Sequence, residues 1–117
     1  MSELRDNSEL TLRNQKDFTR VYNQGKSKGS KYVVVLYKKN NLGYTRTAFV
    51  ASKKVGNSVQ RNRSRRLMRA AFYNFRDRMK DGYDVIFVAR NAINDAGEND
   101  VEKAMFGAAR ACGIINN

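Results

Sequence analysis

KKVGNSVQRNRSRRLMRAAFYNFR, residues 53–76, is the stretch on which the reading of this chain turns. Two lysines close a strand, Gly56 and Asn57 make a turn, and a helix follows from about Ser58. At about 100° per residue, Arg61, Asn62, Arg65, Arg66, Arg69 and Arg76 fall on one side of that helix. Leu67, Met68, Ala71, Phe72, Phe75 and Met79 fall on the other. One wall suits a protein core and the other an anionic partner. Arginines at i, i+4 repel one another, and no Asp or Glu occurs between Phe18 and Arg76 to relieve them. Guanidinium forks match phosphate oxygens bidentately, so a nucleic-acid backbone is the natural counter-surface.

A charge run ordinarily means a solvated face. Here the face is nearly pure arginine and the charge extends well beyond it. The span from Phe18 to Arg76 holds 15 of the 23 Lys and Arg, while both flanks are slightly acidic, and the whole chain carries +12. A basic charge of this size points to nucleic acid or an anionic membrane surface. A membrane-surface helix needs large apolar residues free to insert, and here they are required for the core. No apolar run approaches the ~20 residues of a spanning helix, and the N-terminus MSELRDNSEL has no apolar signal core. The expected location is therefore cytoplasmic.

At 117 residues the chain is expected to form a single RNA-binding domain, residues 1–117, with a flexible polar N-terminus over about 1–9. Histidine is absent, which removes the commonest general base. The lone Cys112 has no disulfide partner within the chain and reads as a small apolar residue near a helix end. Asp95, Glu98, Asp100 and Glu102 form the ordinary acidic helix start, and Asp77, Asp81 and Asp84 mark a helix end and turn. No catalytic residue and no metal site is assigned.

Upstream of the arginine stretch, Asn14 is an N-cap for a short helix, QKDFTRVYNQ, closed by Gly25. Its aromatics, Phe18 and Tyr22, are i, i+4 neighbours with two open readings: packing on a sheet, or platforms for unpaired bases. Lys26 to Ser30 reads as a connection. KYVVVLYKK, residues 31–39, is a strand with Tyr32, Val34 and Leu36 on one face and Val33, Val35 and Tyr37 on the other, which implies cover on both. Asn40, Asn41 and Gly43 predict a hairpin turn into a return strand, Tyr44 to Ser52. Beyond the basic helix, YDVIFVAR is a further strand with Arg90 at its end, and a last helix runs from about Asp100 to Cys112. The order is α-β-β-α-β-α: an α+β, two-layer sandwich with one layer of helices on a small mixed sheet.

In SKKVGNSVQRNRSRRLMRAAF the sequence resembles the protein subunit of bacterial ribonuclease P, with the strand-end Ser-Lys-Lys, the Gly-Asn turn and the Arg-Asn-Arg helix all in register. The likeness extends upstream to KDFTRVYNQGKS and downstream to YDVIFVAR, roughly Leu12 to Arg90. Asn91 stands where the family often has proline, and Arg65 where it often has lysine.

The resemblance implies a ribosomal-protein-like fold whose basic helix makes a left-handed βαβ crossover, against the usual right-handed rule. It implies two binding surfaces. Lys53, Lys54, Asn57, Arg61, Asn62, Arg63, Arg65, Arg66 and Arg69 would face the catalytic RNA. Phe18, Tyr22, Tyr32 and Arg90 would line a cleft for the 5′ leader of precursor tRNA. Magnesium would be held mainly by the RNA subunit. The partners would be ribonuclease P RNA and precursor tRNA, with no membrane and no required protein partner. The alternative is a stand-alone RNA-binding module, such as a ribosomal or assembly factor, without a role in cleavage.

Overall fold

The computed structural model describes residues 10–116, so the stretch expected to be flexible, 1–9, lies outside the described residues. In chain order the elements are α1 (Gln15–Gln24), β1 (Lys26–Gly29), β2 (Val33–Lys39), β3 (Arg46–Val50), α2 (Ser58–Tyr73), β4 (Tyr83–Ala89) and α3 (Glu98–Ala111). Short 3₁₀ turns occupy Arg76–Arg78 and Asn91–Asp95. The class is α+β with a four-stranded mixed sheet, in the order β1-β2-β4-β3.

That order corrects the expected hairpin. The turn after β2 is present, with Asn41 at φ 60° and Gly43 at φ 77°, but β3 does not pair with β2. β4 lies between them, antiparallel to β2 and parallel to β3. The reason is burial: Asp84 to Phe87 and Ala89 are all buried, so this strand has no wet face and takes the central position. β3, with Arg46 and Thr47, takes the outer one. α2 makes the crossover between these two parallel neighbours.

Lys26 to Gly29, expected as a connection, is an edge strand pairing Lys26 with Tyr37 and Gly29 with Val34. All four residues are exposed, so no apolar alternation marks them. Gly25 fixes how α1 enters this strand. A Cβ there would meet the Val21 carbonyl oxygen at 2.5 Å and that of Tyr37 at 2.7 Å, so only glycine fits.

The sheet has helices on both faces. Val33, Val35, Val85, Phe87 and Ala89 join Met68, Ala71 and Phe75 of the α2 segment with Val101, Met105, Ala108 and Ala109 of α3 in the larger core. A ring cluster runs through it, with Phe72 centred 5.5 Å from Phe87 and Phe75 5.4 Å from Phe106. Cys112 packs against this core beside Tyr37, and burial pushes its thiol pKa up. Leu12, Val21, Ala48 and Ile86 form a smaller core, with Phe18, Leu36, Val50 and Val88 against it. The expected sandwich is thus the sheet with α2 and α3, and among the described residues α1 is the helix on the other face, with Leu12 beside it.

α2 is shorter than its pattern suggested. It stops at Tyr73, where Asn74 turns aside and its amide donates to Glu98 and Glu102 at 3.2 and 2.7 Å. Arg76 and Met79 therefore lie beyond the helix. Tyr and Asn are weak helix formers, and the turn lets Met79 reach Ile115 in an antiparallel bridge. After β4, the segment that lacks the family's proline is a 3₁₀ turn. Arg63 of α2 holds it, donating to the carbonyls of Ile93 and Ala96 at 3.3 and 2.8 Å.

α1 is tied to the sheet by charge. Asp84 is 2% exposed and accepts from Arg46 Nε and Nη2 at 2.8 and 2.7 Å and from Asn40 at 2.9 Å. Arg46 also reaches Asp17 of α1 at 3.1 Å. Hydrogen bonding to Asp84, against an opposing desolvation effect, raises the Arg46 pKa. Removing one member of such a buried pair strands its partner. Asp84→Ala is expected to lower stability in urea unfolding by about 3–5 kcal/mol. Asp17→Ala, at the wetter end of the network, should cost about 1 kcal/mol or less. Equal losses would show that β4 is not the principal anchor of Arg46.

Candidate nucleic-acid interface

Two surfaces collect the residues singled out by sequence, one on each side of the sheet. The first is the outer flank of α2. Gly56, at φ 144°, adopts a backbone conformation that side chains disfavour, and Asn57 and Gln60 then form a capping box with two 2.9 Å bonds. The Asn57 side chain is thus engaged in starting the helix. Ser64, Met68 and Ala71 point into the core, which turns Asn62, Arg66 and Arg69 outward to exposed positions and leaves Arg61 and Arg65 half-buried on the flank. Lys53 and Lys54 are exposed in the turn before the helix.

The ridge is held in shape by neutral contacts. Arg65 donates to the Ala51 carbonyl at 3.5 Å and to the Asn62 side chain. Arg69 lies over the Phe49 ring at 5.6 Å. Among the described residues no carboxylate pairs with Arg61, Arg65, Arg66 or Arg69. Arg63 departs from the group: it faces the other flank of α2, where its two backbone acceptors hold it. Helical spacing puts it there, about 100° short of Ser64 and away from Arg61 and Arg65.

The second surface is the face of the sheet beside α1. Phe18 packs there against the smaller core of Leu12, Val21, Ala48 and Ile86, as do Leu36, Val50 and Val88, while Tyr22, one turn on, is 49% exposed. Val34, Leu36, Val50 and Val88 are only partly covered and form an apolar floor. β1 adds no bulk, because its residues on this face, opposite Leu36 and Val34, are Ser27 and Gly29. Arg90 closes one end. Its guanidinium donates to the Ser30 carbonyl at 3.0 Å and lies 3.4 Å from where a Gly29 Cβ would stand.

Tyr32 does not join them. It stands just before β2, where its carbonyl accepts from the Arg90 N–H at 2.8 Å, and its ring packs against the larger core. The apolar floor was missed as a site, although the period-2 pattern of β2 and β4 marks it. No helix of the described residues is long and apolar enough to cross a membrane.

The comparisons with known proteins bear on the family and the fold. The family model described as Ribonuclease P matches residues 7–112. The chain is 39% identical over 109 residues to the Ribonuclease P protein component of Clostridium botulinum, covering 92% of this chain and 98% of that one. To its counterpart in Clostridioides difficile it is 41% identical over 95 residues, 80% and 83% of the two chains. Among solved structures, the Staphylococcus aureus RNase P protein superposes with a TM-score of 0.81 at 25% identity, over 92% of this chain and 98% of that one. The Thermotoga maritima RNase P protein does so with a TM-score of 0.76 at 27% identity, over 86% and 96%. With the family model spanning nearly the whole chain, a relative 39% identical over 109 residues and the fold in agreement, this chain belongs to the ribonuclease P protein family.

Proposed function

We propose that this chain is the protein subunit of a ribonuclease P ribonucleoprotein, which removes the 5′ leader from precursor tRNA. The observation that carries this reading is the α2 ridge: Arg61, Arg65, Arg66 and Arg69 are gathered on one flank, with no acid beside them among the described residues. In this reading the ridge, with Lys53 and Lys54, lies along the phosphates of the catalytic RNA. Binding releases the counterions condensed there. The apolar floor beside α1 takes the unpaired leader, with Tyr22 and Phe18 offering ring faces and Arg90 a phosphate contact.

Bond breaking is assigned to the RNA, and magnesium with it. Five of the described acids are engaged in the chain's own architecture: Asp84 and Asp17 with Arg46, Glu98 and Glu102 with Asn74, and Asp100 at the start of α3 through the Gly97 N–H. The contribution of the protein is positioning and charge neutralisation, which strengthens substrate binding and lowers the magnesium needed.

The direct test adds the chain to a bacterial ribonuclease P RNA at low magnesium with precursor tRNA. Leader removal should depend on both components. Cleavage by the protein alone, or no effect on the RNA, overturns the assignment and favours a stand-alone RNA-binding module.

The ridge makes a sharper prediction. Arg66→Ala and Arg69→Ala should weaken RNA-subunit binding and lower the log-log salt slope by roughly 0.7–0.9 for each phosphate left unneutralised. Arg63→Ala should leave the slope unchanged and lower the unfolding midpoint instead. On the other face, Tyr22→Ala should reduce affinity for leader-bearing precursor by about 1–3 kcal/mol while sparing mature tRNA. Equal losses for the two RNAs would rule out a leader contact.

A further inference from the structure

The outer flank of α2 does not end in an arginine. Tyr73, the last residue of the helix, is 59% exposed, the most exposed aromatic among the described residues. It lies within about 40° of Arg66 and Arg69 around the helix axis and roughly 6–10 Å farther along it. It therefore continues the ridge.

The other rings of α2 and its surroundings are accounted for by one another: Phe72 and Phe75 pack edge to face at 5.3 Å, and Phe49 stacks on Phe87 at 5.7 Å. Tyr73 instead has the guanidinium of Arg76 as its neighbour, 4.0 Å from the ring centroid. The two residues are three apart, a spacing that places side chains next to each other on a helical turn, and Arg76 opens the 3₁₀ turn that follows α2. The carboxylate nearest Arg76 among the described residues is Asp77, at 3.9 Å and 98% exposed, so that contact is weak. A planar cation thus holds an exposed ring at the end of a row of phosphate-binding groups.

We propose that Tyr73, braced by Arg76, stacks on an unpaired base of the RNA along which the ridge lies, one or two turns beyond the phosphate contacts of Arg66 and Arg69. This rests on the functional reading above. Charge supports a nucleobase over an apolar protein surface as the occupant, since the groups leading up to the ring are cationic on a polar flank. Stacking is indifferent to phosphate number, whereas the ridge is not.

The experiment measures binding of the full chain to a bacterial ribonuclease P RNA over a salt series. Tyr73→Leu keeps apolar bulk and removes the ring. It is expected to weaken binding roughly 5- to 150-fold with the wild-type log-log slope. Tyr73→Phe should bind within about twofold of wild type, because the ring face is retained. The urea midpoints of both variants should match wild type, as the side chain lies outside the core. Wild-type affinity in Tyr73→Leu, or weaker binding accompanied by a lower slope, overturns the stacking role while leaving the ridge intact. Failure of the wild-type chain to bind the RNA removes the functional reading and this inference together.

Discussion

Ile86 and Phe87 are consecutive in β4, both fully buried, and they enter opposite cores. A strand buried on both faces must be flanked by strands and covered above and below, and the rest of the molecule meets that condition. β2 and β3 supply the flanks, α2 and α3 cover Phe87, and α1 covers Ile86. The two candidate RNA-facing surfaces consequently lie on different sides of one sheet. The arginine ridge belongs to the α2 layer and the apolar floor to the α1 layer.

The charge distribution is compatible with folding because two quantities differ in size. Neighbouring arginines on α2 cost a few tenths of a kcal/mol per i, i+4 pair. Burying Met68 or Phe75 stabilises by about 1.5–3 kcal/mol each. The helix can therefore carry an unneutralised ridge, provided its other wall is well packed. Arg46, which must be covered, is neutralised from two sides: α1 and β4 bring Asp17 and Asp84 to it. The same separation keeps the C-terminal acids away from the ridge, since Glu98 and Glu102 turn toward Asn74.

Much of this was legible in the residues. The two-walled helix, the Asn14 and Gly25 caps of α1, and the core positions of α3 follow from spacing and capping chemistry. Other features were hidden for identifiable reasons. β1 is read off nothing in KSKG, because its order comes from the free edge of β2 and not from its own side chains. The Asn40 to Gly43 turn carried a true turn signal, but a turn does not dictate that its flanking strands pair. Asn57 and Arg63 match the family's motif as residue types, and only coordinates distinguish a cap and a carbonyl clamp from groups left free to meet a ligand. Tyr32 fits the strand pattern in sequence, yet it precedes β2 and its ring packs on the larger core.

Sequence alone determined that a basic, acid-free region would present arginines from one side of one helix, because helical period and composition are local properties. Tertiary structure decided which of those arginines remain available, which strand lies in the middle, and that α1 sits across the sheet from α2. Those outcomes depend on burial competing between distant segments, and no single segment contains that competition.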